Sequence, residues 1–325
     1  MTDPDHLLVS REHFASDPAQ VPVLFRDAGE QAWLKFIEFF TARIRNRNTR
    51  EAYARAARQF SEWCVAHRLT LHQLSPFLVA AYIEDLGAAY ARPTVKQHLA
   101  VLRMLFDFLV VGQVMPSNPA ASVRGPKHVV KRGKTPVLTA EEARSLLDSI
   151  TTDTLAGMRD RALIAVMVYS FARVSAALGM NVEDYFQQGK RWWFRLYEKG
   201  GKRHEVPAHH NAESYVDAYM QAARIADEAK GALFRTSDRQ GQLTSTRMTR
   251  NDALRMVKRR ARKAGLPASV CCHSFRATGI TVYLHNQGSL EHAQAIAGHE
   301  SPRTTKLYDR TSDQISLDEI EKILI

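Results

Sequence analysis

The C-terminal part of the chain contains His273-Ser274-Phe275-Arg276, then Gly298-His299, then Tyr308. The guanidinium group of arginine is a planar fork of donors that matches phosphate oxygens. Histidine can move a proton near neutral pH, and tyrosine can form a covalent intermediate. Together these side chains predict phosphoryl transfer in which the protein itself is the nucleophile.

The order and spacing of these residues resemble the tyrosine recombinase (phage integrase) family. Its pattern is His-x-x-Arg, then Gly-His, then a tyrosine nine positions after that histidine, and His299 and Tyr308 have this offset. The family also has an upstream arginine and a lysine, and the matching positions are Arg173 and Lys199. The resemblance therefore implies one catalytic set, which consists of Arg173, Lys199, His273, Arg276, His299 and Tyr308.

Residues 191–207 are predicted to form a β-hairpin. Aromatic residues fill its first half, Gly200-Gly201 marks a turn, and the second half ends in Val206-Pro207. In the family such a hairpin carries the catalytic lysine near its turn. Lys202 lies on the same turn and is the alternative to Lys199.

The resemblance implies a specific reaction on DNA. The two arginines neutralise the non-bridging phosphate oxygens, and His299 adds a hydrogen bond. Tyr308 attacks phosphorus while His273 accepts or orients its proton, and Lys199 protonates the leaving 5′-oxygen. The product is a 3′-phosphotyrosyl protein with a free 5′-hydroxyl, so strand joining needs neither a metal nor ATP, and no cofactor is predicted.

The sequence departs from the family pattern at two positions. The first arginine box usually continues Arg-x-x-Glu, and its carboxylate supports the active site, but here the position is Ala176. Ala277 stands where many members have histidine after the second arginine. Neither change removes a group that would touch the phosphate. We therefore expect activity, either with another polar residue in support or at a lower rate.

The overall charge favours a polyanionic partner. The chain has 325 residues, a formal net charge of +11 and an isoelectric point near 9.7. Such an excess of positive charge is typical of proteins that bind nucleic acid, and double-stranded DNA is the predicted partner. The apolar segment 162–172 is far shorter than the ~20 residues of a membrane helix, so no membrane partner is predicted.

The three cysteines indicate a reducing compartment. Cys64, Cys271 and Cys272 do not form a disulfide framework. Cys271-Cys272-His273 lacks a second ligand pair at zinc spacing, so no metal site is predicted. Residues 1–5 lack the basic and apolar segments of a secretion signal. We expect a cytoplasmic protein, associated with the bacterial nucleoid or encoded by a mobile element.

The chain is predicted to be mainly α-helical with two domains. Apolar residues at helical spacing occur from about residue 27 to Pro119, and Asn48 and Glu51 have the spacing of a capping box. This part resembles the family's SAM-like core-binding domain, and the rest resembles its α+β catalytic domain with a small β-sheet. The predicted boundaries are an N-terminal extension at 1–24, the core-binding domain at 25–121, a basic linker at 122–136 and the catalytic domain at 137–325.

Basic residues outside the apolar stripes are the candidates for DNA contact. They crowd the entry to the second helix, the linker, which has no Asp or Glu, and the segment 249–264. The predicted contacts are Arg43, Arg45, Arg47, Arg50, Lys96, Arg103, Lys127, Lys131, Arg132, Lys134, Arg250, Arg255, Lys258 and Arg259.

The C-terminal tail has the pattern of a short amphipathic helix. Ser316 and Glu319 have capping-box spacing, and Leu317, Ile320 and Leu324 share an apolar face. In the family this segment docks into a neighbouring protomer, which implies a homotetramer on synapsed DNA formed from free monomers. Packing against its own domain is the alternative.

The sequence leaves three functional questions open. An accessory DNA-bending protein or a second recombinase can take part in such reactions. A type IB topoisomerase would use the same catalytic groups to relax DNA, and a non-catalytic DNA-binding protein could keep the same fold. Because every catalytic position is filled, site-specific recombination is the predicted function.

Overall fold

The computed structural model describes residues 21–128, 133–198 and 201–309, and the chain divides into two units, Met1–Val129 and Val130–Ile325. The division falls inside the predicted linker. No helix within the described ranges has the length and apolar character needed to cross a membrane. Several predicted features lie outside these ranges, namely Lys131, Arg132, Lys199 and the tail helix 316–325.

From residue 21 to residue 128 the regular elements of the first unit are all helices, as predicted. Its largest buried side chains are aromatic, with Phe36, Phe60 and Phe106 fully enclosed. The helices are α1 Val23–Arg26, α2 Glu30–Glu38, a π-helical turn Phe39–Arg43, α3 Arg47–Ala66, a 3₁₀ turn Leu71–Gln73, α4 Pro76–Ala89 and α5 Arg92–Val111. The aromatic and leucine stripes of the sequence therefore form the core of this unit.

Two details of the first unit differ from the predictions. The cap of α3 is Asn46, which has an extended backbone and accepts a hydrogen bond from the Thr49 amide at 3.2 Å. The predicted box at Asn48 is wrong because that residue already lies inside the first turn. The predicted extension 1–24 also reaches too far, because Val21 and Leu24 are buried in the core of this unit.

The second unit combines helices with two small antiparallel sheets. Its central helix, α7, is buried on nearly all sides from Ala162 to Val168, which explains its continuous apolar sequence. The elements are α6 Ala140–Asp148, α7 Leu155–Tyr169, α8 Val174–Gly179, a 3₁₀ turn Val182–Asp184, β1 Tyr185–Gln188, β2 Arg191–Tyr197, β3 Arg203–Pro207, α9 His210–Ala223, β4 Arg235–Ser237, β5 Leu243–Arg247, α10 Arg250–Lys263, α11 Cys272–His285, α12 Leu290–Ala297 and α13 Pro302–Lys306.

The predicted hairpin is confirmed as β2 and β3. Phe194 pairs with Val206, and both side chains are buried together with Leu196, so the inward face alternates along β2. A third strand, β1, pairs with β2 in the order β1-β2-β3, and β4 pairs with β5 in a separate sheet. These additional strands were not predicted. β1 and β4 have only four and three residues, too few to show alternation.

Candidate active site

Arg276 lies on α11 in the interior of the second unit and is fully buried. Its Nη2 donates to the Ala297 carbonyl at 2.7 Å, and its Nη1 donates to the carbonyl of Phe171. Burial and the charge of Arg173 lower the pKa of Arg276 to about 10, although Glu198 and Tyr308 oppose this shift. The guanidinium is therefore held rigidly and stays charged at neutral pH.

A close approach of α7 and α11 sets the position of Arg276. A Cβ atom at Gly279, one turn after Arg276, would lie 2.1 Å from the Val168 carbonyl and 2.7 Å from the Phe171 ring. Only glycine fits there without displacing the backbone of α7. Phe171 itself has a φ of 53°, an uncommon conformation for an aromatic residue, and its carbonyl faces Arg276.

Arg173 occupies the N-cap position of α8, two residues after Phe171. Its side chain is 32% exposed, whereas that of Arg276 is 1% exposed. The Nη1 atom of Arg173 donates to Oε2 of Glu198. Arg276 therefore lies at the buried end of the site, and Arg173 lies at the side that faces solvent.

Tyr308 and His273 are joined directly. The Tyr308 hydroxyl is 2.8 Å from Nε2 of His273, and it donates when that nitrogen carries no proton. The backbone of Tyr308 is held from two sides, because its amide donates to the Thr305 carbonyl at 2.9 Å and its carbonyl accepts from the Thr281 hydroxyl at 3.1 Å. The phenol is thus fixed beside a nitrogen that can accept its proton.

The pKa shifts of this pair suit proton transfer. Desolvation of the ring, then the charges of Arg276 and Arg173, lower the pKa of His273, so its imidazole is neutral at neutral pH. Burial raises the pKa of Tyr308, while the same two arginines act in the opposite direction. The tyrosine is therefore protonated at rest and must lose its proton as it attacks.

His299 follows Gly298, which ends α12 in the left-handed conformation with a φ of 58°. Its Nδ1 lies 2.9 Å from the hydroxyl of Thr305, and its ring stacks on Tyr308 at 5.8 Å with an interplanar angle of 7°. Burial, followed by the charges of Arg276, Arg173 and His273, lowers the pKa of His299 to about 3. The neutral ring can donate from Nε2 when Nδ1 accepts the threonine hydroxyl.

Five of the six predicted catalytic residues therefore meet at one site, and the sixth, Lys199, lies outside the described residues. Sequence reasoning missed two participants, Glu198 and Thr305. Glu198 is buried between the two arginines, and Thr305 is buried against His299. No local motif marks either residue, although Glu198 immediately precedes the predicted lysine.

The predicted DNA contacts in the first unit fall into two groups. Five are exposed, namely Arg43, Arg45, Arg47, Lys96 and Lys127. Arg47 and the two less exposed residues make contacts within the unit. Arg47 pairs with Glu51, Arg50 donates to the Ile44 carbonyl, and Arg103 donates to the carbonyls of Ala120 and Val123. Arg103 thus helps to hold the chain that follows α5.

In the second unit, α10 carries most of the predicted contacts. It begins with a capping box between Thr249 and Asp252, and Arg250 and Arg255 are exposed. Lys258 donates to the Ala268 carbonyl, and Arg259 pairs with the fully buried Asp160 at 3.2 Å. Asp160 also pairs with Arg159 and Arg260, so this carboxylate anchors the basic helix to α7. Lys134, near the start of this unit, is exposed.

Metal ligands do not cluster in the part of the chain that the structure describes. Among these residues, no group of three His, Cys, Asp or Glu side chains could hold a metal ion. Within the described ranges, the ion pairs of the site join Arg173 and Arg276 to Glu198.

Comparison with family models gives two matches. Residues 136–314 match the Phage integrase family, and residues 35–112 match the phage integrase N-terminal SAM-like domain. Among curated relatives, tyrosine recombinase XerC of Vibrio atlanticus is 28% identical over 77% of this chain and 80% of its own length. Tyrosine recombinase XerD of Corynebacterium glutamicum is 27% identical over 82% of this chain and 89% of its own.

Solved structures share the fold at lower identity. XerH site-specific recombinase, in a post-cleavage complex with a palindromic difH substrate, superposes with a TM-score of 0.68 and 18% identity, covering 99% of this chain and 97% of that one. A lambda integrase dimer bound to a COC′ core site gives a TM-score of 0.65 and 17% identity, covering 88% and 78%.

Proposed function

This chain belongs to the phage integrase family of tyrosine recombinases and is a site-specific DNA recombinase, and we propose that it cleaves and rejoins DNA through a covalent bond to Tyr308. The observation that carries the proposal is the 2.8 Å hydrogen bond between Tyr308 and His273 beside two arginines. A nucleophile, a base and a positively charged phosphate site are then present together.

In the proposed first step, the Tyr308 oxygen attacks phosphorus and its proton passes to Nε2 of His273. The new bond joins the tyrosine to the 3′-phosphate, and the bond from phosphorus to the 5′-oxygen breaks. The lowered pKa of His273 supports this role, because a neutral imidazole can accept the proton at neutral pH.

The arginines are proposed to neutralise the charge that develops on the non-bridging oxygens. Arg276 supports this role because it is rigid and buried, and because its Nε has no hydrogen-bond partner among the described residues. Arg173 is more open and can reach an entering phosphate. His299 would add a third donor from Nε2, with Thr305 occupying its other nitrogen.

Lys199 is proposed to protonate the leaving 5′-oxygen, since an alkoxide is a poor leaving group. Its place in the sequence, at the turn between β2 and β3, supports this assignment. A 5′-hydroxyl from a partner strand then attacks the phosphotyrosine and gives its proton to Lys199, while His273 returns the first proton to the oxygen of Tyr308 as its bond to phosphorus breaks. The covalent bond conserves the energy of the broken one, so the proposed cycle needs neither ATP nor a metal.

The proposed substrate is a pair of specific sites in double-stranded DNA. The net charge of +11 and the solved complexes of XerH with difH and of lambda integrase with its core site support this assignment. We further propose that free monomers assemble as a homotetramer on synapsed sites in the bacterial nucleoid or on a mobile element. An accessory DNA-bending protein or a second recombinase remains compatible with this scheme.

The test is a half-site DNA with a nick next to the cleavage position, which traps the covalent product. Wild-type protein should form an adduct that survives denaturing electrophoresis, and Tyr308→Phe should bind the same DNA and form none. An adduct with Tyr308→Phe would reject the assignment of the nucleophile. Relaxation of a supercoiled plasmid that lacks a recombination site would favour the topoisomerase alternative.

A further inference from the structure

The active site contains a buried carboxylate, Glu198, although Ala176 stands where the family pattern has its glutamate. The family's Arg-x-x-Glu pattern corresponds here to Arg173 and Ala176, and Ala176 is a buried residue of α8 with no polar group. α8 packs against β2, and Glu198 follows the last residue of that strand. A carboxylate therefore enters the same neighbourhood from the sheet instead of from α8.

Glu198 contacts both arginines of the site. Its Oε2 accepts a hydrogen bond from Nη1 of Arg173, and its Oε1 lies 3.8 Å from Nη1 of Arg276. The side chain of Glu198 is only 4% exposed. A buried carboxylate is costly unless it is paired, so these contacts define its environment. One negative charge thus bridges two positive groups that would otherwise repel each other.

The same residue fixes one end of the hairpin turn. The amide of Glu198 donates to the Lys202 carbonyl at 2.9 Å, and its carbonyl accepts from the Gly201 amide at 3.0 Å. A Cβ atom at Gly298, the residue before His299, would lie 3.6 Å from Cγ of Glu198. Glu198 therefore connects the arginines to the stem of the turn and to the loop that carries His299.

The hairpin is held at a second point by His204 of β3, whose Nε2 lies 2.9 Å from the Ile296 carbonyl near the end of α12. This contact positions the strand, but its partner is a backbone carbonyl of α12 and not one of the two arginines. Among the described residues of the hairpin, Glu198 is the one that forms an ion pair with Arg173. A change at Glu198 should therefore affect the arginines directly.

We propose that Glu198 is the positioning carboxylate of this active site, replacing the glutamate that the family pattern would place at residue 176. It holds Arg173 and Arg276 in position for the phosphate, and its backbone bonds to Gly201 and Lys202 fix the end of β2 to the start of β3. This role rests on the proposed function, since the arginines matter only if a phosphate reacts between them. A carboxylate that merely filled an empty phosphate site would act in the opposite way, because its removal would speed cleavage.

The test compares Glu198→Gln with a matched control, Glu205→Gln. Glu205 is on the same hairpin and also pairs with two arginines, Arg195 and Arg203, but it does not contact the catalytic pair. On the nicked half-site, Glu198→Gln should bind DNA as wild type does and cleave about tenfold to a hundredfold more slowly, the range for loss of a supporting partner or for a misplaced catalytic group. Glu205→Gln should cleave at the wild-type rate.

A double-mutant cycle separates positioning from general stability. If Glu198 acts through Arg173, then Glu198→Gln should add little to the loss caused by Arg173→Ala. Wild-type or faster cleavage by Glu198→Gln, or losses that multiply fully in the double variant, would overturn the role. If Glu198→Gln does not fold, Glu198→Asp is measured in the same way, and failure of both to fold would assign Glu198 to folding instead.

The outcomes for the two proposals remain distinct. Absence of a Tyr308 adduct with wild-type protein would reject the proposed function, and the role of Glu198 would fall with it. A normal wild-type adduct together with normal cleavage by Glu198→Gln would reject only the role of Glu198.

Discussion

Replacing Thr305 with valine should remove the hydrogen bond that orients His299 and leave the rest of the active site unchanged, so that the effect of this bond on cleavage can be measured alone. Thr305 is fully buried, and its hydroxyl lies 2.9 Å from Nδ1 of His299. Valine keeps the branched shape and leaves unchanged the Thr305 carbonyl that accepts from the Tyr308 amide. The substitution therefore removes one hydrogen bond and little else.

The size of the effect follows from the burial of both partners. His299 is 7% exposed, so water cannot readily replace the lost hydroxyl. Leaving a buried polar group unsatisfied costs about 1–3 kcal/mol. If that loss is felt in the transition state, cleavage should slow by about fivefold to 150-fold, at 1.36 kcal/mol per factor of ten.

The assay is single-turnover cleavage of the nicked half-site, with Thr304→Val as the matched control. Thr304 is the neighbouring threonine, and it is exposed. Thr304→Val should cleave at the wild-type rate, and Thr305→Val should add little to the loss caused by His299→Ala. Wild-type cleavage by Thr305→Val would refute the view that this hydroxyl orients His299.

Three further predictions concern the general acid, the base and the tail. Lys199→Ala should cleave normal DNA poorly. It should recover most of its rate on DNA with sulfur at the 5′-bridging position, because a thiolate leaves without a proton. If Lys202→Ala shows this rescue and Lys199→Ala does not, Lys202 is the general acid. The pKa of His273 is lowered by desolvation and by the two arginines, so cleavage should decline as pH falls, with its midpoint below the usual histidine pKa of about 6.5. A rate profile with its midpoint at or above pH 6.5 would contradict the assignment of the base. A chain truncated after Ser312 should fold and bind one half-site but fail to form the synaptic complex, since each apolar side chain of the predicted helix at 316–325 would contribute about 1.5–3 kcal/mol if fully buried in a neighbouring protomer. Intact synapsis, or unfolding of the monomer, would show that the tail packs on its own domain.

The sequence alone determined the fold class and five of the residues that meet in the site. Arg276 and His273 share one turn of α11, and Tyr308 follows His299 by a short offset, so their spacing matches the pattern of the family that the sequence resembles. The helical units and the hairpin were predictable for a similar reason. Apolar periodicity and turn residues can be read from a short stretch of sequence, and they predict the helices and the turn that the folded chain contains.

Only the tertiary structure decided which residues support the site. Glu198 meets Arg173 across 25 positions of sequence, and Arg276 reaches the Phe171 carbonyl across 105. Likewise, it decided that Arg103 donates to backbone carbonyls 17 and 20 residues away, whereas the sequence had predicted Arg103 as a DNA contact. Spacing along the chain carries no information about such contacts, because they depend on how separate elements pack. The charged groups of a buried site are therefore balanced by whichever neighbour the fold brings within reach.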